Sequence, residues 1–383
     1  MGTRRSFLGA AAAGLFLGAP AVVFAQAATD RRFVFIVQRG AADGLNTVIP
    51  YADPAYAPLR RELAIDPATA IRLDGMFALH PALVEFGKLH AAGQALFVHA
   101  MASPYRDRSH FDGQNVLESG GGAPYELRDG WMNRLVNLLP HAGKEPIAFA
   151  PTVPLALRGA AAVTSYAPSA LPQANDDLLL RVQQLYASDP QLHALWSAAM
   201  DARSMASMSA EARNQQNPAA LGRMAAGFLA QANGPRLAMI ETSGWDTHGA
   251  QNGRLTNQLK SLDAMVGGLR DGLGDAWSQT VVVVATEFGR TAAANGTGGT
   301  DHGTASAALL AGGAVQGGRV IADWPGLSAA ALYEGRDVRP TMDLDALIAA
   351  LAADTFSLDR ERVGRALFPR IATGKPLPSL LRT

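Results

Sequence analysis

The sequence predicts an α/β fold with a doubly wound, mostly parallel sheet that carries helices on both faces. Five short apolar runs, rich in β-branched or small residues and with little polar alternation, are typical of strands buried in a parallel sheet. They lie at 32–38, 95–100, 236–242, 280–286 and 304–313. Between several of these runs lie helix-like segments, at 81–93, from 253 onward and at 343–356. Strands that alternate with helices predict a doubly wound sheet.

The composition limits the class of protein. The chain has 383 residues, 48% of them hydrophobic and 17% charged, so it can bury a sizeable core in one large sheet domain or in two domains. Basic and acidic residues number 33 each, and no basic run with interleaved aromatics occurs, which argues against a nucleic-acid partner. The absence of cysteine excludes thiol nucleophiles, cysteine zinc sites and iron–sulfur clusters. Because neither a G-x-G-x-x-G fingerprint nor a Walker loop is present, nucleotide cofactors are disfavoured as well.

The first 27 residues predict an export signal that is removed from the mature chain. Arg4 and Arg5 stand together before an uncharged run, 6–27, which closes on a small-x-small pattern at 25–27. With the Ser-Phe-Leu that follows, the arginine pair resembles a twin-arginine signal. The alternative is a membrane anchor, but the apolar core of about 15 residues is shorter than the roughly 20 that span a bilayer, and Pro20 interrupts it. We therefore expect a periplasmic or secreted protein with no stable membrane anchor after cleavage.

The mature chain, 28–383, is predicted to be one α/β domain with a helical insertion in its middle. Residues at about 175–232 carry no strand signal and have a helical pattern, with methionine and alanine on one face. Methionine fills irregular gaps in cores, so we interpret this face as packing material and not as a cofactor site. The segment is expected to cover the core, and it could act as a lid.

Polar residues collect in five short segments just after the predicted strands. Open α/β sheets bind ligands at the carboxyl ends of their strands, so these side chains are expected to meet at one edge of the sheet. In chain order they are Asp43; Ser109, His110 and Asp112; Asp246 and His248; Glu287 and Arg290; and Asp301 and His302.

This mixture of carboxylates and imidazoles suits a divalent metal ion of the zinc or manganese type. Neighbouring glycines allow the backbone to turn tightly and to approach a ligand closely. Each segment alone has a simpler interpretation: Asp43 beside Gly44 fits a turn, Asp246 fits an Asx-turn or a helix cap, and a single histidine is commonly structural. Because all five segments follow strands, we favour a metal site over five separate structural roles.

The motifs also resemble those of a known family. The resemblance is to a widespread family of exported bacterial proteins with a domain of unknown function, and it rests on the export signal and five motifs. These read "RGAADGLN", "RSHFDGQ", "GWDTHGAQ", "ATEFGRT" and "GTDHG" in this order. By fold, that family belongs to the alkaline phosphatase and sulfatase superfamily, and the similarity covers nearly the whole mature chain. It implies an alkaline-phosphatase-like fold, but the family has no agreed substrate, so it indicates the fold more firmly than the function.

The resemblance implies a role for each residue that matches the superfamily pattern. It makes Ser109 the nucleophile at the start of a helix, and "RSHFDGQNVLESG" is also similar to the nucleophile helix of cofactor-independent phosphoglycerate mutases. A helix N-terminus would stabilise a phosphate or sulfate there. Apart from the resemblance, Arg290 or Arg39 could clamp the oxygens of the transferred group, and the alternative for each is a surface role or a pairing with a carboxylate. The implied metal ligands are Asp43, Asp246, His248, Glu287 and His302.

The sequence departs from the superfamily pattern in the "ATEFGRT" motif. Glu287 replaces an aspartate, and Phe288 stands where the superfamily has a histidine ligand. A missing imidazole weakens the second metal site, so we expect one metal ion, or one strong and one weak site, in place of two equal ones.

These expectations imply hydrolysis of a small-molecule phosphate or sulfate ester, with Ser109 as a covalent nucleophile and a divalent metal ion as its activator. The alternative is a non-catalytic exported module that keeps the fold and binds a metal ion or an unknown exported partner. Phe288 favours this module, whereas the retained Ser109, Asp246 and His302 favour an enzyme. A serine hydrolase of another fold is disfavoured, because no G-x-S-x-G elbow occurs.

Overall fold

The computed structural model describes residues 22–25, 30–139, 147–149, 153–165, 217–232, 234–370 and 377–382, with a few positions between 182 and 196. The strands are β1 Val22–Ala25, β2 Arg32–Gln38, β3 Val48–Ile49, β4 Ile71–Arg72, β5 Ala78–Leu79, β6 Ala95–Ala102, β7 Ile147–Phe149, β8 Thr164–Ser165, β9 Leu237–Thr242, β10 Thr280–Ala285, β11 Ser306–Ala311, β12 Arg319–Ile321 and β13 Met342–Asp343. The α-helices are α1 Gly44–Thr47, α2 Tyr56–Arg60, α3 Val84–Ala91, α4 His110–Ser119, α5 Trp131–Leu138, α6 Pro218–Leu229, α7 Gln251–Leu273, α8 Leu344–Thr355 and α9 Arg360–Leu367. Short 3-10 helices span Arg61–Leu63, Leu155–Leu157 and Gly274–Gln279.

The central sheet runs in the order β12-β6-β11-β10-β2-β9-β1-β7-β8, and β13 also pairs with β6. Its middle is parallel: β2 lies between β10 and β9, with Phe35 opposite Val283 on one side and Met239 on the other. The strands β3, β5 and β4 form a separate, small antiparallel sheet. The predicted α/β class with a mostly parallel central sheet is therefore confirmed.

The apolar run at 304–313 differs from the prediction in its direction. It forms β11, which covers Ser306–Ala311 and runs antiparallel to both β10 and β6. A parallel neighbour needs a long crossover, usually a helix, whereas the chain between β10 and β11 returns directly to the sheet. A strand buried on both faces has the same apolar pattern in either direction, so the sequence alone did not reveal the reversal. As a result, β11 begins at the edge of the sheet where β2, β6, β9 and β10 end.

Helices bury both faces of the sheet, as predicted, because alternate residues of each strand enter opposite cores. On one face, Phe33 and Phe35 of β2 pack with α5, α8 and α9. On the other, Val34 and Ile36 pack with α3, α6 and α7. Trp131, at the start of α5, meets Phe35 edge-on with the ring centroids 5.1 Å apart. The core therefore holds the strand ends in fixed positions from both sides.

Most of the predicted helical insertion at 175–232 lies outside the described residues. Its last part forms α6, which packs closely along α7. A Cβ atom on Gly222 would lie 2.1 Å from the carbonyl oxygen of Met265, and one on Gly268 would lie 2.2 Å from that of Ala219. These two glycines let the helix backbones approach each other, so α6 belongs to the core itself.

The predicted export signal also lies mostly outside the described residues. Its described portion is β1, which pairs antiparallel with β9 and with β7. Within the part of the chain that is described, no helix is both long enough and apolar enough to cross a bilayer.

Candidate metal centre

The candidate site lies where β2, β6, β9 and β10 end and β11 begins. The loop after β6 leads into α4, whose first residue is His110. The loop after β9 carries Asp246 and His248. The connection from β10 to β11 carries Glu287, Arg290, Asp301 and His302, and Arg290 and His302 face each other there in an antiparallel bridge. The sheet therefore brings together side chains that are far apart in the sequence.

Three of these side chains form a compact cluster of metal-binding groups. One ligand atom each of His110, Asp246 and His302 lies within 4.8 Å of the other two. The Nε2 atom of His110 is 3.5 Å from Oδ2 of Asp246, and Nε2 of His302 is 3.3 Å from Oδ1 of the same carboxylate. Asp246 is 40% exposed, so the cluster is open to solvent on one side.

His248 joins the cluster at its exposed side. Its Nε2 atom lies 3.0 Å from Oδ1 of Asp246 and 3.0 Å from Nε2 of His302. Two imidazole nitrogens that share one zinc ion are roughly 3 Å apart, since each Zn–N bond is about 2.0 Å long. This spacing therefore fits a shared cation as well as a shared proton.

The opposite ring nitrogen of each histidine is held by an acceptor. The Nδ1 atom of His110 lies 2.9 Å from Oε1 of Glu287, that of His302 lies 2.9 Å from the carbonyl oxygen of Arg108, and that of His248 lies 3.2 Å from Oδ1 of Asp301. An acceptor at Nδ1 places the proton there and leaves the Nε2 lone pair free. Metal-binding histidines use this arrangement to fix their tautomer and orientation.

The donor set fits a divalent metal ion on independent grounds. The Nε2 atom of His110 is buried and has no hydrogen-bond partner among the described residues, although such groups are normally satisfied. Imidazole nitrogens with one carboxylate are the usual ligands of zinc, and manganese accepts the same donors. The Nε2 atom of His110 therefore lacks a partner in the described structure, and a metal ion would supply one.

Local charges set the ionisation of the cluster in the absence of metal. Partial burial raises the pKa of Asp246, but a 2.6 Å hydrogen bond from Arg290 Nη1 and the charge of that arginine outweigh it, so the pKa falls below its usual value. The hydrogen bond with Glu287 raises the pKa of His110, whereas burial and the neighbouring His110 lower the pKa of His302. The carboxylate is therefore already ionised, as a metal ligand has to be.

Glu287, one of the predicted ligands, contacts the cluster through His110. It is fully buried, and its Oε1 also accepts hydrogen bonds from the backbone N–H groups of Gly40 and Ala41, at 2.8 and 3.2 Å. Its Oε2 accepts one from the Thr286 hydroxyl at 3.0 Å. The carboxylate is thus used to orient the ring of His110 and the loop that follows β2.

Asp43, another predicted ligand, forms a buried ion pair. Its two oxygens accept hydrogen bonds from Arg60, at 2.6 and 3.0 Å, and it also caps α1 through the N–H group of Leu45. Gln251 adds a further hydrogen bond to Oδ2 at 2.5 Å. The ligand atoms that lie close together are those of His110, Asp246 and His302 and do not include an oxygen of Asp43.

The two predicted anion clamps both have protein partners. Arg290 is buried and donates from all three guanidinium nitrogens, to Asp246, to the Thr300 hydroxyl and to the Thr300 carbonyl. Arg39 is paired with Glu118 and Glu241. The structure thus uses Arg290 to hold Asp246 in the cluster.

Two glycines allow the loops to meet at this edge. Gly40, after β2, has a φ of +118°, and a Cβ atom on it would lie 2.6 Å from the backbone nitrogen of Asp246. A Cβ on Gly299 would lie 2.3 Å from the carbonyl carbon of His248. Any larger residue at either position would push apart the loops that carry Asp246 and His248.

A family model described as "Protein of unknown function (DUF1501)" matches residues 30–367. The chain belongs to the DUF1501 family. The match begins just before β2 and ends with α9, so every residue of the cluster lies within the DUF1501 region. No curated protein matches the chain.

Two residues of the DUF1501 site were not among the predicted ligands, although both were noticed at the strand ends. His110 belongs to the group of side chains that could hold a metal ion, and Asp301 is the partner of His248 at Nδ1. His110 directly follows Ser109, and the superfamily pattern assigned a role to the serine only. Phe288, which replaces the expected histidine, stacks against the ring of His110 with centroids 5.2 Å apart. Position 288 therefore has no imidazole of its own, but the imidazole of His110, from α4, lies directly beside it.

Proposed function

We propose that this DUF1501 protein is a metal-dependent hydrolase of phosphate or sulfate esters, with the alkaline-phosphatase-like fold of that superfamily. One observation carries the proposal. Three imidazoles, each held at Nδ1 by an acceptor, turn their Nε2 atoms toward Asp246 at the ligand-binding edge of the sheet. The side chain next to His110 in the chain is the serine that matches the superfamily nucleophile.

His110, Asp246, His248 and His302 are the proposed metal ligands, and zinc or manganese is the proposed ion. A bound divalent ion would offset negative charge on the ester and lower the pKa of an oxygen nucleophile. Glu287 and Asp301 orient the imidazoles, and Arg290 orients the carboxylate. We propose a single metal site, because Asp43 and Glu287, which would serve a second one, are bonded to protein groups.

Ser109 is the proposed catalytic nucleophile. It stands at the N-cap position of α4, yet its side chain makes no capping hydrogen bond. Among the described residues, its hydroxyl has no hydrogen-bond partner, whereas its backbone N–H donates to the Tyr105 hydroxyl at 3.0 Å. The serine is thus anchored by its backbone, and its hydroxyl is available for reaction.

The start of α4 supports an anionic substrate. Within the described part of the chain, the N–H groups of His110, Phe111 and Asp112 donate to no protein acceptor. Free N–H groups in the first turn of a helix, with the positive end of its dipole, bind phosphate and sulfate. The proposed nucleophile therefore lies beside a place for the oxygens of the ester.

In the proposed reaction, the Ser109 oxygen forms a bond to phosphorus or sulfur. The bond from that atom to the alcohol oxygen breaks, and the alcohol leaves with a proton. Water then cleaves the serine ester and releases phosphate or sulfate, which restores the hydroxyl. Each step is a substitution without a change in oxidation state.

A second candidate is a non-catalytic exported module that binds a metal ion or an exported partner. Phe288 and the Asp43–Arg60 ion pair favour it, because a chain that lacks the second metal site has lost part of the machinery of its superfamily. In both cases we propose export by the twin-arginine route, with the signal removed and no stable membrane anchor retained.

The substitution Ser109→Ala tests the proposal on protein loaded with zinc or manganese. Once a screen of phosphate and sulfate esters identifies a substrate, turnover should fall by several orders of magnitude at unchanged metal content. Asn217→Ala, which removes the side-chain cap of α6, is the matched control and should cost about 1 kcal/mol of stability with activity retained. Full activity in Ser109→Ala would exclude the covalent mechanism. A metal-loaded wild type that hydrolyses no ester would favour the binding module.

A further inference from the structure

Two exposed aromatic side chains lie beside the candidate site. Phe111 is 83% exposed and Tyr125 is 66% exposed, whereas the other large exposed hydrophobic residues among those described are aliphatic. Single exposed apolar residues are normal on protein surfaces. These two are different because Phe111 directly follows His110 in the first turn of α4, and because Tyr125 is tied to the same turn.

Contacts with α4 hold Tyr125 in place. Its backbone N–H donates to Oδ1 of Asn115 at 2.7 Å, and the nearby carboxylate of Asp112 raises the pKa of its phenol. Phe111 and Asn115 are four residues apart, so they lie on the same side of the helix. The tyrosine is thus anchored to the side of α4 that carries Phe111.

The backbone conformation of Tyr125 indicates that the surrounding structure holds this residue in place. Its φ is +60°, a left-handed conformation that is uncommon for a bulky residue. Such a conformation persists only when its surroundings hold it. The Asn115 hydrogen bond provides this restraint, and the result is an aromatic ring presented to solvent next to the start of α4.

The chemistry of the pair indicates its ligand. Aromatic side chains bind flat, apolar groups by stacking or edge-to-face contact. The carboxylate of Asp112, which directly follows Phe111 in the first turn of α4, disfavours a second anionic group there. Two side chains are also too small a patch for a stable protein interface, which buries about 800 Å² on each partner.

We propose that Phe111 and Tyr125 bind the neutral aromatic group of the ester, so that the substrates are esters of aryl alcohols. This inference rests on the proposed function, because the ester group would lie at Ser109 and the start of α4. The aryl group would then extend from the ester oxygen over the two rings. The pair determines specificity and takes no part in bond cleavage.

The test compares the binding of three probes to metal-loaded protein by calorimetry. The probes are 1-naphthylphosphonate, methylphosphonate and 2-naphthol, which carry both groups, the anion alone and the aryl group alone. Wild type should bind the naphthyl phosphonate about tenfold more tightly than the methyl one. Phe111→Ala and Tyr125→Ala should each reduce this preference several-fold, and the double variant should abolish it.

Controls separate specificity from folding and from the metal site. Both residues are exposed, so the variants should keep their metal content and their affinity for methylphosphonate. Val84→Ala is the matched control, because it also removes an exposed apolar side chain but on a different helix. The neighbouring Glu85 donates its N–H to Asp263 of α7, so this part of the surface belongs to α3 and α7 and not to α4. That variant should keep the full preference for the aryl probe.

The three probes also separate this inference from the proposed function. A wild type that binds both phosphonates equally, or a double variant that keeps the preference, would overturn the aryl site while leaving the hydrolase possible. If neither phosphonate binds, the anion site and the proposed function fail. The binding of 2-naphthol then shows whether the aromatic site exists. Binding of 2-naphthol that is lost in the double variant would support the aromatic site, and no binding in wild type would exclude it.

Discussion

The Nδ1 atom of His110 lies 2.9 Å from Oε1 of Glu287, although the two residues are 177 positions apart in the sequence. The same oxygen receives the N–H groups of Gly40 and Ala41, which fix its position. The contact turns the opposite nitrogen of His110 toward Asp246. Glu287 therefore orients one member of the candidate metal cluster without belonging to that cluster.

Glu287→Gln should lower metal affinity by about 10- to 100-fold, because the amide is a weaker partner for the imidazole and leaves the ring less well oriented. Competition with a chelator of known affinity measures this loss. Glu241→Gln is the control, since Glu241 is paired with Arg39 and touches no imidazole of the cluster. An unchanged affinity in Glu287→Gln would show that the orientation of His110 is set elsewhere.

Asp43→Asn should destabilise the protein by about 3–5 kcal/mol, because it leaves Arg60 buried without its counter-charge. Urea unfolding measures the change. Glu126→Gln breaks the exposed pair with Arg370 and should cost no more than about 1 kcal/mol. The folded Asp43→Asn protein should keep its full metal content. Loss of metal from it would make Asp43 a ligand, as the superfamily pattern implies.

Sequence reasoning predicted the sheet well because buried strands leave a local signal. The runs that became β2, β6, β9 and β10 have the apolar character of strands covered on both faces, and the polar residues after them do meet at one edge. The pairing of these polar side chains with one another was not predictable from the sequence. Arg60 and Asp43 form an ion pair across 17 residues, and no local pattern marks an arginine in a helix as the partner of a buried aspartate.

The same limit explains why the sequence did not indicate His110 as a member of the candidate metal cluster. Its role depends on Glu287 behind it and on Asp246 in front, and both come from other strands. The motif assigned the role of this turn to Ser109, whereas the contacts that define a ligand exist only after the sheet has formed. The predicted direction of β11 was wrong for a related reason, since the reversal of this strand depends on the path of the loop before it.

Lowering the pH from 7 to 5 should weaken the fold, because buried histidines must stay neutral in it. Burial lowers the pKa of His99 to about 4, and that of His80 to about 4 as well, whereas the unfolded value is 6.5. As the pH falls below 6.5, the unfolded chain takes up protons that the folded chain does not. The stabilisation present above pH 6.5 is therefore lost on the way down toward about pH 4, at about 1.4 kcal/mol per pH unit for each histidine.

Urea unfolding at several pH values checks this slope. The variant His99→Gln should lose less stability on acidification than wild type, by up to about 1.4 kcal/mol per pH unit. His193→Gln, which changes an exposed histidine, is the matched control for the substitution itself. A His99→Gln protein with the wild-type slope would show that His99 titrates alike in both states.

Changing both Arg4 and Arg5 to lysine should retain the precursor in the cytoplasm, because the proposed translocation route depends on the arginine pair. Fractionation of a bacterial host that expresses tagged protein measures the distribution. Arg365→Lys, an exposed residue in α9, is the control for a conservative arginine change. Normal external levels of the double variant would remove the twin-arginine assignment.

The antiparallel return of β11 has a consequence for the order in which the centre assembles during folding. β10 and β11 are close in the chain, so their pairing is a local event, and it brings Glu287, Arg290 and His302 together early. His110 and Asp246 can join only when β6 and β9 take their places through contacts of much longer range. A metal ion held by these residues would therefore bind a sheet that has already formed, in contrast to small zinc domains, which fold around their ion.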